Sequence, residues 1–286
     1  KKYVASNNPS DVSTASVITI CVPTPLNAQR EPDLGLLESA TRDVAPFLAQ
    51  GSLLVSESTS YPGAMREVII PLVNKLKPSE TETLYFASAP ERVNPGDPVW
   101  DQKNTPRLVG GIDEESQKRA LAFYNSICDS VVATSTPEIA EAAKILENTF
   151  RLVNIAMIDE FTQLCSAQGI NVHEVINAAA TKPYGFMKFS PSAGVGGHCI
   201  PVDPSYLADV AEKVGVQATF IQRANEVNLD MPKYIANRVE KDNGGSLKGK
   251  KVLVVGVAYK PNVADTRETP AELLINALEK IGAVVT

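Results

Sequence analysis

The chain has 286 residues, 44% of them apolar, a formal charge of −6 and one tryptophan, a composition that excludes disorder and allows more than one domain's worth of core. The acidity is diffuse and no basic run is interleaved with aromatics, so nucleic acid is excluded as a partner. No apolar stretch nears the ~20 residues of a membrane helix, and the opening KKYVASNNPS has no signal-peptide core, so no membrane association and a cytoplasmic location are expected. Cys21, Cys128, Cys165 and Cys199 form no C-x-x-C pair, which points to neither a disulfide framework nor a metal site.

From about Ser16 to Thr136 the runs SVITICVPT, SLLVSEST, TLYFASAPE, TPRLVGG and SVVATST are short, apolar and β-branched. Between them, DLGLLESATRDVAPFLAQG and GAMREVIIPLVNKLKP carry apolar residues at helical spacing. This alternation predicts an α/β fold with a mainly parallel sheet. Ligands in such sheets gather at the carboxyl ends of strands, which singles out VPTP at Val22–Pro25, EST at Glu57–Thr59 and APERVNPG at Ala89–Gly96. Cys21 and Cys165 lie in apolar patterns and are expected to be buried, inert thiols.

A long helix is expected next, with Thr136 as cap, Pro137 in its first turn and Gly169 as its stop. Its apolar residues cover more than one face, which fits burial between domains or subunits. Helical pattern continues to about Lys241, interrupted by GVGGHCIPVDPSYL at Gly194–Leu207. There Gly196, Gly197, Pro201 and Pro204 make Cys199 a loop residue, and loops on rigid scaffolds often carry function. Cys199 and His198, adjacent in an extended loop, point apart, so a Cys–His dyad is not expected. The last stretch predicts a buried strand over Val252–Val257, a helix near Pro270 and a further strand beginning at the final residues. The expected domains are thus 1–135, 136–241 and 242–286.

Six motifs, CVPTP, SESTSYPG, APERVNPG, EIAEAAKILENTFR, GVGGHCIPVDPSYL and GVAYKPNVADTRETPA, follow one another in this order. Together they resemble the UDP-glucose/GDP-mannose dehydrogenase family of nucleotide-sugar 6-dehydrogenases. The resemblance implies a partial Rossmann-like NAD domain, a central all-helical dimerisation domain and the start of a second Rossmann-like domain that binds the UDP-sugar. The family's opening G-x-G-x-x-G unit has no counterpart in these residues and the last domain is incomplete. The chain therefore reads as truncated at both ends, expected to bind NAD weakly or not at all on its own.

What the resemblance implies for individual residues follows. The reaction is a four-electron oxidation of a sugar C6 hydroxyl with NAD, and covalent catalysis divides its harder half. Cys199 is the nucleophile, forming a thiohemiacetal and then a thioester that water hydrolyses; Asp203 and Glu91 assist that water. Lys144 and Asn148, at i and i+4 on one helix face, stabilise the oxyanions and touch substrate. Pro23, Thr24, Thr59, Glu91 and Arg267 contact NAD, while Arg92, Lys260, Gly194, Gly196 and Gly197 contact the nucleotide sugar. No metal is implied, and the assembly is a homodimer through the central helices.

UDP-glucose enzymes typically carry a lysine before the aspartate of this loop, where Val202 stands here. GGHCIPVDP looks more like the branch acting on UDP-N-acetylhexosamines, with UDP-N-acetylglucosamine favoured. UDP-N-acetylmannosamine, UDP-N-acetylgalactosamine and UDP-glucose stay open. So does a catalytically dead dimer that only binds a nucleotide sugar. A cysteine hydrolase using Cys199 and Asp203 would leave the cofactor motifs without a use.

Overall fold

A computed structural model describes residues 3–77 and 83–286. They form two compact units, residues 1–147 and 148–286. In the first, β1 (Val17–Ile20), β2 (Leu53–Ser56), β3 (Tyr85–Ser88), β4 (Arg107–Gly111) and β5 (Val131–Ala133) make one sheet in sequence order. All five expected runs are strands. β1, β2 and β3 are parallel, β4 runs antiparallel to β3, and β5 is parallel to β4. The reversal has a local cause: the segment from Ala89 to Pro106 contains four prolines and forms no helix. A parallel return needs a crossover, usually helical, so the chain re-enters the sheet at the end where β3 left it.

Alternation along the strands divides the core between the two faces of the sheet. Ile18, Ile20, Leu54 and Phe86 pack with Leu37 of α1 (Gly35–Val44) and with Met65, Ile69 and Val73, which lie on a wide turn running into α2 (Ile70–Leu76). Leu53, Val55, Ala87 and Val109 face Ala120 and Tyr124 of α3 (Glu114–Asn125). The same period of two corrects the expectation for Cys21. It follows β1 in phase with exposed Thr19 rather than with buried Ile18 and Ile20, and it is exposed. Cys165 is buried, as expected.

The expected long helix, α4 (Pro137–Gln168), has 32 residues, and Gly169 ends it at a φ of 71°. It crosses the division between the units at Glu147–Asn148. In the second unit Leu152 and Ala156 of α4 pack against Ile221, Ala224 and Val227 of α7 (Thr219–Asp242). Val172 and Ile176 of α5 (Val172–Ala179) pack on Ile158 and Cys165. α6 (Asp203–Lys213) follows the Cys199 loop.

At the carboxy-terminal end, α8 (Pro270–Lys280) starts at the expected Pro270, capped by the Thr269 hydroxyl, and packs Leu278 against Ala236 of α7. The expected strand over Val252–Val257 is corrected. Only β6 (Lys251–Val252) forms, paired in parallel with β7 (Val284–Val285), and Leu253 and Val255 are 72% and 87% exposed. Ladder pairing needs a partner at each residue, and β7 supplies two. None of the helices is long and apolar enough to cross a membrane, among the described residues.

One buried carboxyl in the first unit makes the fold pH-sensitive. Glu141 of α4 is 2% exposed and accepts from Gly63 N (2.7 Å), Met65 N (3.3 Å) and the Ser88 hydroxyl (2.7 Å). Burial raises its pKa to about 7 against the pull of those donors. Since the folded chain holds this proton more tightly than the unfolded chain does, the group's contribution to stability is fully present below the ordinary glutamate range and is lost as pH rises through about 7. Denaturant titrations at pH 5 and pH 8 are expected to show this loss, as much as about 3 kcal/mol from this group, and Glu141→Gln is expected to flatten it.

Candidate functional site

In the first unit, the loops leaving β1 and β2 are stitched together. Ser58 Oγ accepts from Val22 N (2.9 Å) and donates to Val22 O (2.8 Å), and the buried Thr24 hydroxyl donates to Thr59 O (2.6 Å). Pro23 between them is exposed. With its proton committed, the Thr24 oxygen offers an acceptor.

Glu91 follows β3. Its Oε1 accepts from Val93 N at 2.5 Å, and its Oε2 accepts from Arg107 Nη2 at 2.6 Å and Gln102 Nε2 at 2.8 Å. Burial works to raise its pKa, but the Val93 amide and the Arg107 charge outweigh it and hold the carboxyl below the usual glutamate range. Arg92 grips Glu147 at 2.6 Å and gives a further bond to Pro106 O (2.8 Å). Its fork thus binds a carboxylate of its own unit, which the expectation of a sugar contact did not foresee. Beside Glu57, the Cys21 thiol is pushed up by partial burial and then by that carboxylate.

Lys144 and Asn148 stand one turn apart on α4, and both are buried, at 8% and 4% exposure. In the second unit Asn148 Nδ2 donates to Asp203 Oδ2 at 2.5 Å. Asp203 is the first residue of α6, and its backbone N–H donates to Cys199 O at 2.9 Å. Cys199 is exposed, one helical turn before that carboxylate.

The other end of the loop is tied down as well. Ser192 gives both its N–H (2.7 Å) and its hydroxyl (2.9 Å) to Asp159, and its oxygen also accepts from Gly194 N (3.1 Å). Burial raises the Asp159 pKa to about 6 despite the two Ser192 donors. Asn148 and Asp159 are eleven residues apart, almost a whole number of turns, so they share one face of α4. Neither Asp159 nor Ser192 was singled out by the sequence, where an aspartate in a helix and a serine before a proline-rich loop carry no distinguishing signal.

The glycines of the loop serve a packing role that the sequence reading did not name. A Cβ on Gly196 would lie 2.7 Å from Tyr259 and 2.8 Å from Glu268 O, and one on Gly197 would lie 2.6 Å from the Tyr259 ring. Gly194, at a φ of 110°, faces Asn228 O at 2.5 Å in the same way. Their absent side chains admit other chain segments on that side. Gly197 N donates to Arg267 O at 3.1 Å, while the Arg267 guanidinium is held by Asp265 at 2.6 Å. Lys260 lies half-buried in the segment between β6 and α8.

This arrangement, a dinucleotide-type α/β unit followed by a helical unit that presents a tethered cysteine, defines the class. Residues 1–128 match the UDP-glucose/GDP-mannose dehydrogenase family, NAD binding domain; residues 138–230 match its central domain and 253–286 its UDP binding domain. Protein CapL of Staphylococcus aureus is 36% identical over 98% of this chain and 67% of its own length. The UDP-N-acetyl-D-glucosamine 6-dehydrogenase of Pseudomonas aeruginosa is 33% identical over 95% and 65%. The structure of the UDP-D-ManNAc dehydrogenase of Pyrococcus horikoshii superposes with a TM-score of 0.88 at 34% identity, covering 98% of this chain and 66% of that one. The chain belongs to the UDP-glucose/GDP-mannose dehydrogenase family. It spans between 59% and 68% of the length of its relatives.

The Ser192 tether yields a test. Ser192→Ala removes the hydroxyl that bridges Asp159 and Gly194 N, at an expected cost of about 1–2 kcal/mol. In hydrogen exchange the Gly194 amide is expected to lose protection while Leu152 and Ala156 in the helix keep theirs. Equal loss at both would show that the tether holds the whole unit rather than the loop.

Proposed function

We propose that the protein containing these residues oxidises the C6 hydroxyl of a UDP-N-acetylhexosamine to the carboxylate in two two-electron steps. The observation that carries the proposal is Lys144, an 8% exposed ammonium with no ion pair among the described residues. A buried, unpaired charge costs several kcal/mol, a cost that makes sense where an oxyanion arrives to meet it. NAD, for which the first unit has the matching family domain, supplies hydride acceptance when bound. The Thr24 acceptor and the neutral hydroxyl chemistry around Thr59 fit the carboxamide of its nicotinamide.

In this reading Cys199 attacks the C6 aldehyde as a thiolate, giving a thiohemiacetal whose oxyanion Lys144 and Asn148 stabilise. Loss of the second hydride leaves a thioester at Cys199. Glu91, held as an anion, takes a proton from the water that attacks it, the thiolate leaves, and the acid is released. Asp203 orients Asn148 through their shared hydrogen bond and contributes to activating the water. Arg267, Pro23, Thr59, Arg92, Lys260 and the three glycines of the loop keep the binding roles that the resemblance implies, as proposals.

The hexosamine itself is chosen by assay. The loop motif favours UDP-N-acetylglucosamine, whereas relatives include dehydrogenases of both UDP-N-acetylmannosamine and UDP-N-acetylglucosamine. Val202, at 3% exposure, stands where UDP-glucose enzymes typically carry a lysine. Turnover of UDP-glucose at a rate equal to both acetylated sugars would overturn the hexosamine reading.

In the full-length protein, Cys199→Ala is expected to abolish acid formation while leaving sugar-nucleotide binding within about tenfold, because the thiol adds little to ground-state binding. Lys144→Met is expected to lose at least about a hundredfold in kcat and yet to unfold at higher denaturant concentration, since an unpaired buried charge has been removed. A variant that keeps its activity would show that Lys144 has no oxyanion to serve.

We also propose a homodimer built on α4. Phe150, Met157 and Leu164 recur every seven residues along it and are 44% to 63% exposed together with Leu146, the seam of a helix that packs on another. Sedimentation velocity is expected to show a dimer at micromolar concentration, and Met157→Glu is expected to shift it toward monomer. A monodisperse monomer of the unsubstituted chain would count against it.

A further inference from the structure

The strand β4 reads RLVGG and is buried at all five residues, yet it begins with an arginine. Arg107 is 4% exposed. A cation so placed has to be explained by what it holds, since an apolar residue would fill a central strand at no desolvation cost. Its guanidinium lies 5.5 Å from the centre of the Tyr124 ring, and Nη1 donates to Ala89 O at 3.1 Å. Two carboxylates share it: Glu57 from the end of β2 at 3.6 Å and Glu91 from the end of β3 at 2.6 Å.

Charge decides what the cluster is for. One carboxylate would neutralise Arg107, and Glu57 is suited to that task, being the less exposed of the two (15% against 32%) and fixed by the Tyr124 hydroxyl at 2.6 Å. Glu91 is the carboxylate in excess, and it receives the shorter contact with the arginine. Gln102 closes the arrangement, accepting from Arg107 Nη2 at 2.9 Å and donating to Glu91 Oε2 at 2.8 Å. Oε2 is thereby engaged twice, and Oε1, held by Val93 N, is the oxygen with capacity for a proton.

We infer that Arg107 is the positioning residue for Glu91, with Gln102 as its second arm: the buried guanidinium aims the carboxylate off the end of β3 and keeps it the proton-accepting anion. This rests on the reading of Glu91 as the base for thioester hydrolysis. Among the described residues, charged and titratable groups meet this cluster from its neighbouring elements: Arg107 on β4, Glu57 after β2, Tyr124 on α3, Cys128 after α3, whose thiol donates to Gln102 O, and Cys21 after β1. Arg107 is the one cation among them, so its removal leaves the Glu57 and Glu91 carboxylates to repel one another. The direction of the effect on Glu91 is then fixed, toward holding its proton.

The experiment follows the Glu91 side-chain carboxyl by carbon-13 NMR across a pH titration of the chain. The unsubstituted protein is expected to titrate below the ordinary glutamate range. Arg107→Gln is expected to raise the midpoint by about one unit or more, Arg107→Lys to recover part of that shift, and Gln102→Leu to move it less in the same direction. Gln102→Leu leaves the buried cation paired, so it stands as the test should Arg107→Gln fail to fold. In the full-length protein the acid limb of kcat for acid formation is expected to move with the NMR midpoint, and the thioester on Cys199 to accumulate in mass spectra below it. Should Glu91→Gln leave hydrolysis unchanged, the reading of Glu91 fails. Should Glu91→Gln block hydrolysis while Arg107→Lys and Gln102→Leu both leave the Glu91 midpoint where it was, the role of Arg107 fails alone.

Discussion

A loop that runs into Cys199 through glycines at 194, 196 and 197 has little conformational preference of its own there, so the position of Cys199 depends on what the loop is tied to. Two buried aspartates do the tying. Asp159 takes both donors of Ser192 ahead of the cysteine, and Asp203 takes the Asn148 amide behind it. Because residues 148 and 159 lie on one face of α4, a single rigid helix sets both anchor points. Packing of Leu152 and Ala156 against α7, between those anchors, keeps that face in place.

The first unit applies the same physics at the edge of a sheet. Its parallel strands deliver the loops after β1, β2 and β3 to one end, where Ser58 joins two of them and Arg107 joins the other pair through Glu57 and Glu91. In both units polar groups are buried in company, and each group's charge state is set by that company. Glu91 is held low by an amide and a guanidinium against its burial, whereas Glu141 and Asp159, which meet only neutral donors, are raised by it. Hydrogen bonds from neutral groups offset desolvation in part, and a full positive charge reverses it.

Much of this could be read from residue order. The five β-branched runs, the Thr136–Pro137 helix start, the Gly169 stop and the Pro270 helix all rest on local chemistry, and local chemistry is what a sequence displays. The i, i+4 placement of Lys144 and Asn148 was legible for the same reason. What escaped was set at a distance. The reversal of β4 depended on a proline-rich segment making no crossover. The shortness of β6 depended on how much strand faces it. The exposure of Cys21 turned on strand phase, which apolar content alone conceals. Arg107 left a trace, a charge at the head of an otherwise apolar run, and its meaning emerged only with Glu57, Glu91 and Tyr124 around it.

The link between Cys199 and Asp203 carries a further consequence. The cysteine's carbonyl accepts the N–H of the residue that opens α6, so nucleophile and carboxylate are separated by one turn of backbone rather than by an adjustable loop. Such a turn acts as a ruler. Inserting or deleting a single residue between them would turn the thiol and the carboxylate about 100° relative to one another, without altering any side chain in the set. The stretch IPV between them can therefore vary in composition as packing allows, but its length of three is as much a part of the site as the thiol.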